Sequence, residues 1–143
     1  VVHSHSCSMV AFSVSKVQQL VPVWHMAGVL GRNVKIFDTE DKFGSETDLL
    51  ITDMEKASAL ADCLVDSDVA LMRGHGATIY GRTLPEAVYR AIYAELNAQI
   101  LLNSAAMGTF KALSVGECKA TVERISPQIG RAWDLWVREV ERD

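Results

Sequence analysis

The sequence has few of the residues that build disulfide frameworks and cysteine-based zinc sites. Its three cysteines, Cys7, Cys63 and Cys118, are widely spaced and include no Cys-x-x-Cys pair, so we expect reduced and mostly buried thiols. No glycine-rich phosphate loop follows a strand-like segment, which argues against a nucleotide cofactor. The sequence also contains no internal repeat and no low-complexity segment.

Long apolar runs and clusters of one charge are also missing. The apolar stretches are shorter than the roughly 18 residues that a membrane span requires, and no signal-peptide pattern opens the chain. The 14 basic residues are scattered and the net charge is -4, so we expect no membrane and no nucleic acid among the partners. With 143 residues, of which 49% are hydrophobic, the chain fits one globular domain, residues 1–143, of a cytoplasmic protein.

What the sequence does contain is a pair of histidines at its start. His3 and His5 follow two β-branched residues, Val1 and Val2, which is typical of the end of a strand. Residues at positions i and i+2 of a strand face the same side, so both imidazoles project together. Such a pair often binds zinc or a similar divalent ion. The alternative is that both are ordinary polar residues on an exposed strand end.

A third histidine, His75, lies in a turn between two strand-like segments. Gly74 and Gly76 flank it and permit backbone conformations that are closed to other residues, so the side chain can be aimed at a fixed point. A zinc site that carries out chemistry usually has three protein ligands and an open position. The sequence therefore predicts a metal site formed by His3, His5 and His75.

The remaining pattern alternates strands and helices. The predicted strands cover residues 1–5, 33–37, 69–72 and 77–80, and the segment 38–47 is predicted to be a polar loop. The predicted helices cover residues 6–14, part of 20–30, 52–65 and 83–107, and two more begin at Ser114 and Pro127. The expected N-caps are Ser6 or Ser8, Thr52, Thr83 and Ser114, the last three completed as capping boxes by Glu55, Glu86 and Glu117. This order predicts a layered α/β domain with a mixed or antiparallel sheet.

Three motifs in one order carry a resemblance to a known family. They are Val-Val-His-Ser-His-Ser at residues 1–6, Val-Pro-Val-Trp-His-Met at residues 21–26, and Arg-Gly-His-Gly at residues 73–76, which leads into Thr-Leu-Pro-Glu-Ala at residues 83–87. Together they resemble the class II aldolase/adducin family. This family includes fuculose-phosphate aldolase, ribulose-phosphate 4-epimerase, methylthioribulose-phosphate dehydratase and several hydroxy-acid decarboxylases. The likeness spans nearly the whole chain.

The resemblance implies a fold, an assembly and a metal. The fold is a three-layer α/β/α sandwich with a mixed, largely antiparallel sheet, assembled as a homotetramer with its active site between subunits. A zinc or manganese ion is held by the histidines that match His3, His5 and His75. The aldolases also have a catalytic glutamate and a phosphate site upstream of the His-x-His motif, in a region that this chain lacks. Because the chain also starts in mid-strand at Val1, we expect it to be the C-terminal portion of the domain.

One departure from the family affects the expected chemistry. The aldolases place a tyrosine directly after the histidine of the second motif, where it donates a proton from a neighbouring subunit. Here that residue is Met26, and a thioether cannot donate a proton. We therefore expect His25 or a water to take that role. The third motif and the tail over residues 130–136 resemble the decarboxylase branch, which acts on hydroxy-aromatic or keto-carboxylate substrates.

The expected function is a divalent-metal-dependent lyase that cleaves a C–C bond of a small hydroxy or keto acid, or of a sugar phosphate, through a metal-stabilised enolate. His25 is the expected acid or substrate-orienting group, or else a partly buried histidine bonded to backbone. Arg73 is either a contact for a substrate carboxylate or a surface arginine beside a turn. Four acidic loop residues offer a fourth metal ligand, although such residues are usually solvated: Glu40, Asp41, Glu46 and Asp48.

Two other functions remain open on the same scaffold. The first is a sugar-phosphate 4-epimerase or dehydratase, which needs the phosphate site upstream of this chain. The second is a non-catalytic oligomerisation module like the adducin head. The presence of all three histidines argues against the second function, because a module that only assembles does not need a complete ligand set.

Overall fold

The computed structural model of the protein describes residues 1–31 and 33–142. Within them, four strands form one sheet of order β1-β4-β3-β2. The strands are β1 (Val2–Ser4), β2 (Lys35–Phe37), β3 (Val69–Met72) and β4 (Gly76–Ile79). β4 pairs antiparallel with both β1 and β3, whereas β2 pairs parallel with β3. The sheet is therefore mixed and largely antiparallel, which confirms the prediction from the sequence.

Helices pack against this sheet to give an α/β sandwich. The α-helices are α1 (Cys7–Val14), α2 (Thr39–Phe43), α3 (Met54–Asp62), α4 (Leu84–Ala106), α5 (Val115–Ile125) and α6 (Ile129–Val140), and 3₁₀ segments lie at His25–Leu30 and Ser126–Gln128. α1 and α4 contact each other and the strands, α5 packs on the first 3₁₀ segment, and α6 packs on α4. No helix in the described part of the chain has both the length and the apolarity needed to cross a membrane.

Local capping explains where most helices begin. The side chains of Ser6 and Thr83 accept hydrogen bonds from the backbone N–H three residues later, and Ser114 forms a full capping box with Glu117. Each cap pairs a backbone donor that the helix itself leaves unpaired. These three starts were predicted correctly. At Thr83 the predicted box is incomplete, because the Glu86 carboxylate accepts from the N–H of Arg82 instead.

Two predictions in the segment 38–65 were wrong. The predicted polar loop contains α2, since Asp38 caps it at the N–H of Glu40 and acidic residues in the first turn favour a helix start. α3 is capped by Asp53 rather than by Thr52, with 2.8 Å between Asp53 Oδ1 and the N–H of Lys56. Aspartate is an equal or better N-cap than threonine. Because Asp53 rather than Thr52 caps the helix, α3 begins one residue later than expected.

The core lies between the sheet and the pair of helices α1 and α4. Buried side chains of α1, β3, β4 and α4 form one cluster, with alanines on α4 that let the helix approach the strands closely. The main contributors are Met9, Phe12, Val69, Leu71, Ala77, Ile79, Ala94, Ala98 and Leu101. This packing fixes the position of the β3–β4 turn relative to β1.

Asn97 of α4 is a buried polar residue within this core. Its Oδ1 accepts a hydrogen bond from the N–H of Val23, and its Nδ2 donates to the carbonyl of Val21, each at 2.9 Å. The side chain thereby satisfies two backbone groups of an otherwise irregular segment. It ties the stretch that leads into the first 3₁₀ segment, and therefore into His25, to the long helix.

Candidate metal centre

The edge of the sheet brings distant parts of the sequence together. β1 runs beside β4, so that His3 lies opposite Thr78, and His5 follows directly after the strand. The β3–β4 turn places His75 at the same edge, with its N–H donating to the carbonyl of Met72 at 3.0 Å. The ends of β1 and of the turn therefore meet.

The two glycines that flank His75 have different roles. Gly74 has a φ of 66°, a left-handed conformation that the turn requires. At Gly76 an added Cβ would lie 2.1 Å from the carbonyl oxygen of Ser4, so only glycine lets β1 approach β4 this closely. Both positions therefore control how near His75 comes to the other two histidines.

The three imidazoles converge through their Nε2 atoms. Nε2 of His5 lies 3.0 Å from Nε2 of His3 and 3.0 Å from Nε2 of His75. The candidate ligand atoms all lie within 4.8 Å of one another. In a tetrahedral zinc site with ordinary bond lengths, two ligand nitrogens are about 3.3 Å apart. The two separations from His5 Nε2 are thus close to the separation that a shared divalent ion requires.

Backbone carbonyls fix the orientation of two of these rings. Nδ1 of His3 lies 3.0 Å from the carbonyl oxygen of Ala77, and Nδ1 of His75 lies 2.8 Å from that of Leu49. A carbonyl only accepts, so each Nδ1 carries the proton and each Nε2 presents a lone pair. Two lone pairs face Nε2 of His5, which can donate to only one of them. The donor chemistry of the three nitrogens therefore fits a bound cation.

The electrostatics of the cluster favour the neutral form of His3. Burial lowers the pKa of His3 below its ordinary value, the hydrogen bond to Ala77 opposes this shift, and the neighbouring His75 and His5 lower the pKa further. A lowered pKa keeps the ring neutral at physiological pH. Neutral imidazole is the form that binds metal ions.

An apolar cavity opens beside the histidines. It has a volume of about 820 Å³, including the solvent at its mouth. Its lining consists of Val1, His3, Leu50, Ile51, Thr52, Leu60, Met72, His75 and Thr78. Apart from the two histidines and two hydroxyls this wall is aliphatic or thioether. No lysine or arginine of the described residues lines it.

Arg73 forms ion pairs within the protein, and its contact with a substrate carboxylate stays a prediction. Its guanidinium forms ion pairs with Asp38 and with Glu40, the latter at 3.1 Å. The backbone N–H of Arg73 donates to the carbonyl of Phe37 at 3.0 Å. Burial of Asp38 opposes ionisation, but hydrogen bonds from Arg73 and from the N–H of Glu40 outweigh it and lower the pKa of this carboxyl. The Arg73 side chain therefore holds the β3–β4 turn to the start of α2.

None of the four acidic loop residues that could offer a fourth ligand joins the histidine cluster among residues 1–31 and 33–142. The cluster with metal-binding geometry there consists of the three histidines alone. Cys7 does not belong to this cluster. Cys7 is exposed and Cys63 is half-buried, so of the three cysteines only Cys118 matches the expected buried thiol.

His25 lies in another part of the molecule. It begins the first 3₁₀ segment, is exposed, and contacts the ring of Trp24 at a centroid distance of 5.9 Å. It lines a groove of about 1070 Å³ together with Tyr89, Tyr93 and Arg124. This groove shares no lining residue with the cavity beside the three histidines. Within one chain, the structure does not bring His25 to the metal centre, and its catalytic role stays a prediction.

Two groups that support the site were not predicted from the sequence. They are the carbonyl of Leu49 beside His75 and the hydroxyl of Ser13, which accepts from the N–H of Gly74 at 3.0 Å. A backbone carbonyl leaves no signal in residue type. Ser13 lies on the buried side of α1, where a serine among apolar residues was the one available sign.

Comparison with known proteins shows the family to which this chain belongs. The model of the family described as class II aldolase and adducin N-terminal domain matches residues 1–102. The chain belongs to this family. It is 38% identical over 162 residues to decarboxylase tropJ of Talaromyces stipitatus, a match that covers 99% of this chain and 60% of that protein. The chain thus spans less than two thirds of the length of this relative.

Solved structures show the same fold. An aldolase II superfamily protein from Pseudomonas syringae superposes with a TM-score of 0.73 at 21% identity, over 99% of this chain and 55% of that one. An L-fuculose 1-phosphate aldolase superposes with a TM-score of 0.66 at 18% identity, over 87% of this chain and 54% of that one. The resemblance to the aldolase family that was drawn from the three motifs is confirmed.

Proposed function

We propose that this chain forms the metal-binding part of a lyase that removes carbon dioxide from a small hydroxy or keto acid. The observation that carries the proposal is the convergence of three Nε2 atoms, with His5 Nε2 at 3.0 Å from each of the other two. The 38% identity to a decarboxylase supports the reaction type. Zinc is the expected ion and manganese the alternative, since the ligands are three imidazoles.

Each histidine has a defined task in this proposal. His3 and His75 present Nε2 because carbonyls hold their Nδ1 protons, and His5 completes the ligand set. A divalent ion held there supplies a Lewis acid that withdraws electrons from substrate oxygens while a C–C bond breaks. The lowered pKa of His3 keeps the site ready for the ion at neutral pH.

The proton donors favour decarboxylation over aldol cleavage. When carbon dioxide leaves, the electrons of the broken bond stay on the substrate carbon, and that carbon then takes up one proton. Met26 cannot supply it. Tyr89, whose hydroxyl lies 3.8 Å from Met26 Sδ, is buried, and this burial raises the pKa of the phenol, so it is a poor acid. His25 is the exposed group nearby that can donate.

The cavity wall favours an acid with an apolar body. A phosphate needs cationic or backbone N–H partners, and the wall of the cavity instead offers Leu50, Ile51 and Leu60. A hydroxy-aromatic or alkyl keto acid can place its oxygen atoms toward the histidines and its carbon skeleton against this wall. The sugar-phosphate aldolase, epimerase and dehydratase alternatives would instead need the phosphate site that the family resemblance places upstream of this chain.

The separation of His25 from the metal centre supports an active site between subunits. Because the two cavities have no lining residue in common, His25 acts in this proposal on the metal centre of a neighbouring copy. A homo-oligomer, which the family resemblance implies to be a tetramer, supplies that neighbour. The adducin-like alternative is an assembly of the same kind without a metal.

The test is a reconstitution of the purified protein with Zn²⁺ or Mn²⁺. Hydroxy-aromatic acids, keto acids and sugar phosphates are each incubated with it, and carbon dioxide and aldehyde release are measured. We expect metal-dependent carbon dioxide release from an acid of the first two classes and its loss with a chelator. Less than a tenth of an equivalent of bound metal, or aldehyde release from sugar phosphates alone, would contradict the proposal.

Mixed oligomers test the position of His25. His25→Ala and His75→Ala are each expected to be inactive, the first with metal bound and the second without it. If the site lies between subunits, oligomers reassembled from both variants regain part of the activity, because some interfaces then combine an intact His25 with an intact metal centre. Activity of His25→Ala equal to that of the unmodified protein would remove the residue from the reaction.

A further inference from the structure

Leu49 has an unusual backbone conformation. Its φ is 64°, and it is the one non-glycine residue with positive φ in the described part of the chain. Side chains with a Cβ rarely adopt this conformation, and where they do so without being asparagine or aspartate the surroundings must enforce it. Such outliers concentrate at functional sites.

The carbonyl of this residue is the acceptor for His75. The distance from Leu49 O to His75 Nδ1 is 2.8 Å, although the two residues are 26 positions apart. Leu49 belongs to the irregular segment between α2 and α3. The left-handed residue and the hydrogen bond to a candidate metal ligand therefore coincide at one peptide group.

The neighbouring residues hold this segment in place. The N–H of Leu49 donates to Thr47 Oγ1 at 3.1 Å, and the N–H of Leu50 donates to Asp48 Oδ1 at 3.0 Å. The side chain of Leu49 lies over the turn, with Cδ1 3.4 Å from where a Cβ of Gly74 would be. Two side-chain caps and one packing contact thus determine the conformation of a single residue.

We propose that Leu49 is a positioning residue whose left-handed backbone selects the metal-binding tautomer of His75. With its proton held on Nδ1 by the Leu49 carbonyl, His75 has a lone pair on Nε2, the atom that faces His5. Partners of this kind orient the ring, raise the basicity of the ligand nitrogen, and change metal affinity by about 10–100-fold when lost. The inference rests on the proposed metal site.

Two substitutions of similar size separate the backbone effect from the side-chain effect. Asparagine tolerates the left-handed region, whereas valine, branched at Cβ, resists it. Leu49→Asn is expected to keep the carbonyl in place and to bind Zn²⁺ within about threefold of the unmodified protein. Leu49→Val is expected to displace the carbonyl and to weaken Zn²⁺ binding by at least about tenfold.

The second measurement needs no metal. Nitrogen NMR of the metal-free protein reports which ring nitrogen of His75 carries the proton. We expect a single tautomer with the proton on Nδ1 in the unmodified protein and in Leu49→Asn, and a mixture of tautomers in Leu49→Val. A loss of global stability alone leaves the Leu49 carbonyl in place in the folded molecules, so it does not change the tautomer of His75.

Three results would overturn the inference. The first is a proton on Nε2 of His75 in the unmodified protein, a result that does not depend on whether Leu49→Val folds. The second is an unchanged tautomer and Zn²⁺ affinity in Leu49→Val. The third is equal loss in both variants, which would assign the effect to the leucine side chain. If the unmodified protein binds no Zn²⁺ but shows the expected tautomers, the proposed function fails while the role of Leu49 stands.

Discussion

Nε2 of His5 lies 3.0 Å from Nε2 of His75, although 70 positions separate the two residues in the sequence. The pairing of β1 with β4 and the tight β3–β4 turn produce this contact. Neither histidine reaches the other through local structure. The candidate metal centre therefore depends on the register of the sheet as much as on the histidines themselves.

His75→Ala is expected to abolish metal retention and to leave the fold intact. His75 is half-exposed in a turn, so its removal takes away a ligand without opening the core. Metal content measured after dialysis should fall to background, and the far-UV circular dichroism should not change. His25→Ala is the control and should retain the metal. Unfolding of His75→Ala would instead identify the site as structural.

Gly76→Ala is expected to damage the site through the backbone. The added methyl group would lie 2.1 Å from the carbonyl oxygen of Ser4, and two strands cannot separate without cost, so we expect a loss of about 2–3 kcal/mol in the free energy of unfolding. Zn²⁺ affinity should fall as well, because β1 carries His3 and adjoins His5. Urea unfolding and metal titration measure both effects.

Gly130→Ala is the matched control for that substitution. Gly130 lies in α6, and apart from its chain neighbours and the backbone of its own helix no atom of the described residues lies within 4 Å of an added Cβ. Alanine there should raise stability by about 0.5–1 kcal/mol and leave metal binding unchanged. If both glycine variants behaved alike, the close approach of β1 to β4 would not be what makes Gly76 necessary.

Much of the fold was predictable because its signals are local. Ser6, Thr83 and Ser114 each mark a helix start through a side chain that pairs with a nearby N–H, and the apolar run of β3 marks a buried strand. The errors came where two caps compete within a few residues. At α3 the N-cap is Asp53 rather than Thr52, and Asp38 caps a helix inside the expected loop.

The site was predictable only as far as side-chain identity carries it. His3, His5 and His75 could be named from their spacing and flanking glycines, and the structure brings them together. The ion pairs of Arg73 could not be predicted, because its partners Asp38 and Glu40 lie on another element. The role of the Leu49 carbonyl could not be predicted from the sequence, because every residue has a backbone carbonyl and only the fold determines where it points.

Asn97→Leu is expected to destabilise the protein by about 2–4 kcal/mol. Leucine has a similar volume but leaves the N–H of Val23 and the carbonyl of Val21 without their partner inside the protein, and each buried unpaired group costs about 1–3 kcal/mol. Asn103→Leu, at an exposed position of the same helix, should stay within about 0.5 kcal/mol. Chemical denaturation measures the difference, and equal values for the two variants would contradict the anchoring role of Asn97.

Asp38→Asn tests the ion pair between Asp38 and Arg73, which holds the β3–β4 turn to α2. Asparagine still caps α2, so the substitution removes the charge that pairs with Arg73 and keeps the cap. At neutral pH we expect a loss of about 1 kcal/mol in the free energy of unfolding, which is modest because the pair lies near the surface. Asp62→Asn, at the exposed end of α3, is the control.

The pH dependence distinguishes this ion pair from a packing effect. The pKa of Asp38 in the folded protein is below its ordinary value of 3.8, so the unfolded chain binds the proton more readily. The stabilisation is therefore complete above that value and disappears as the pH falls through the lowered pKa of the folded state. The stability difference between the unmodified protein and Asp38→Asn should shrink over this acid range. A difference that stayed constant there would show that the carboxylate acts through its shape and not its charge.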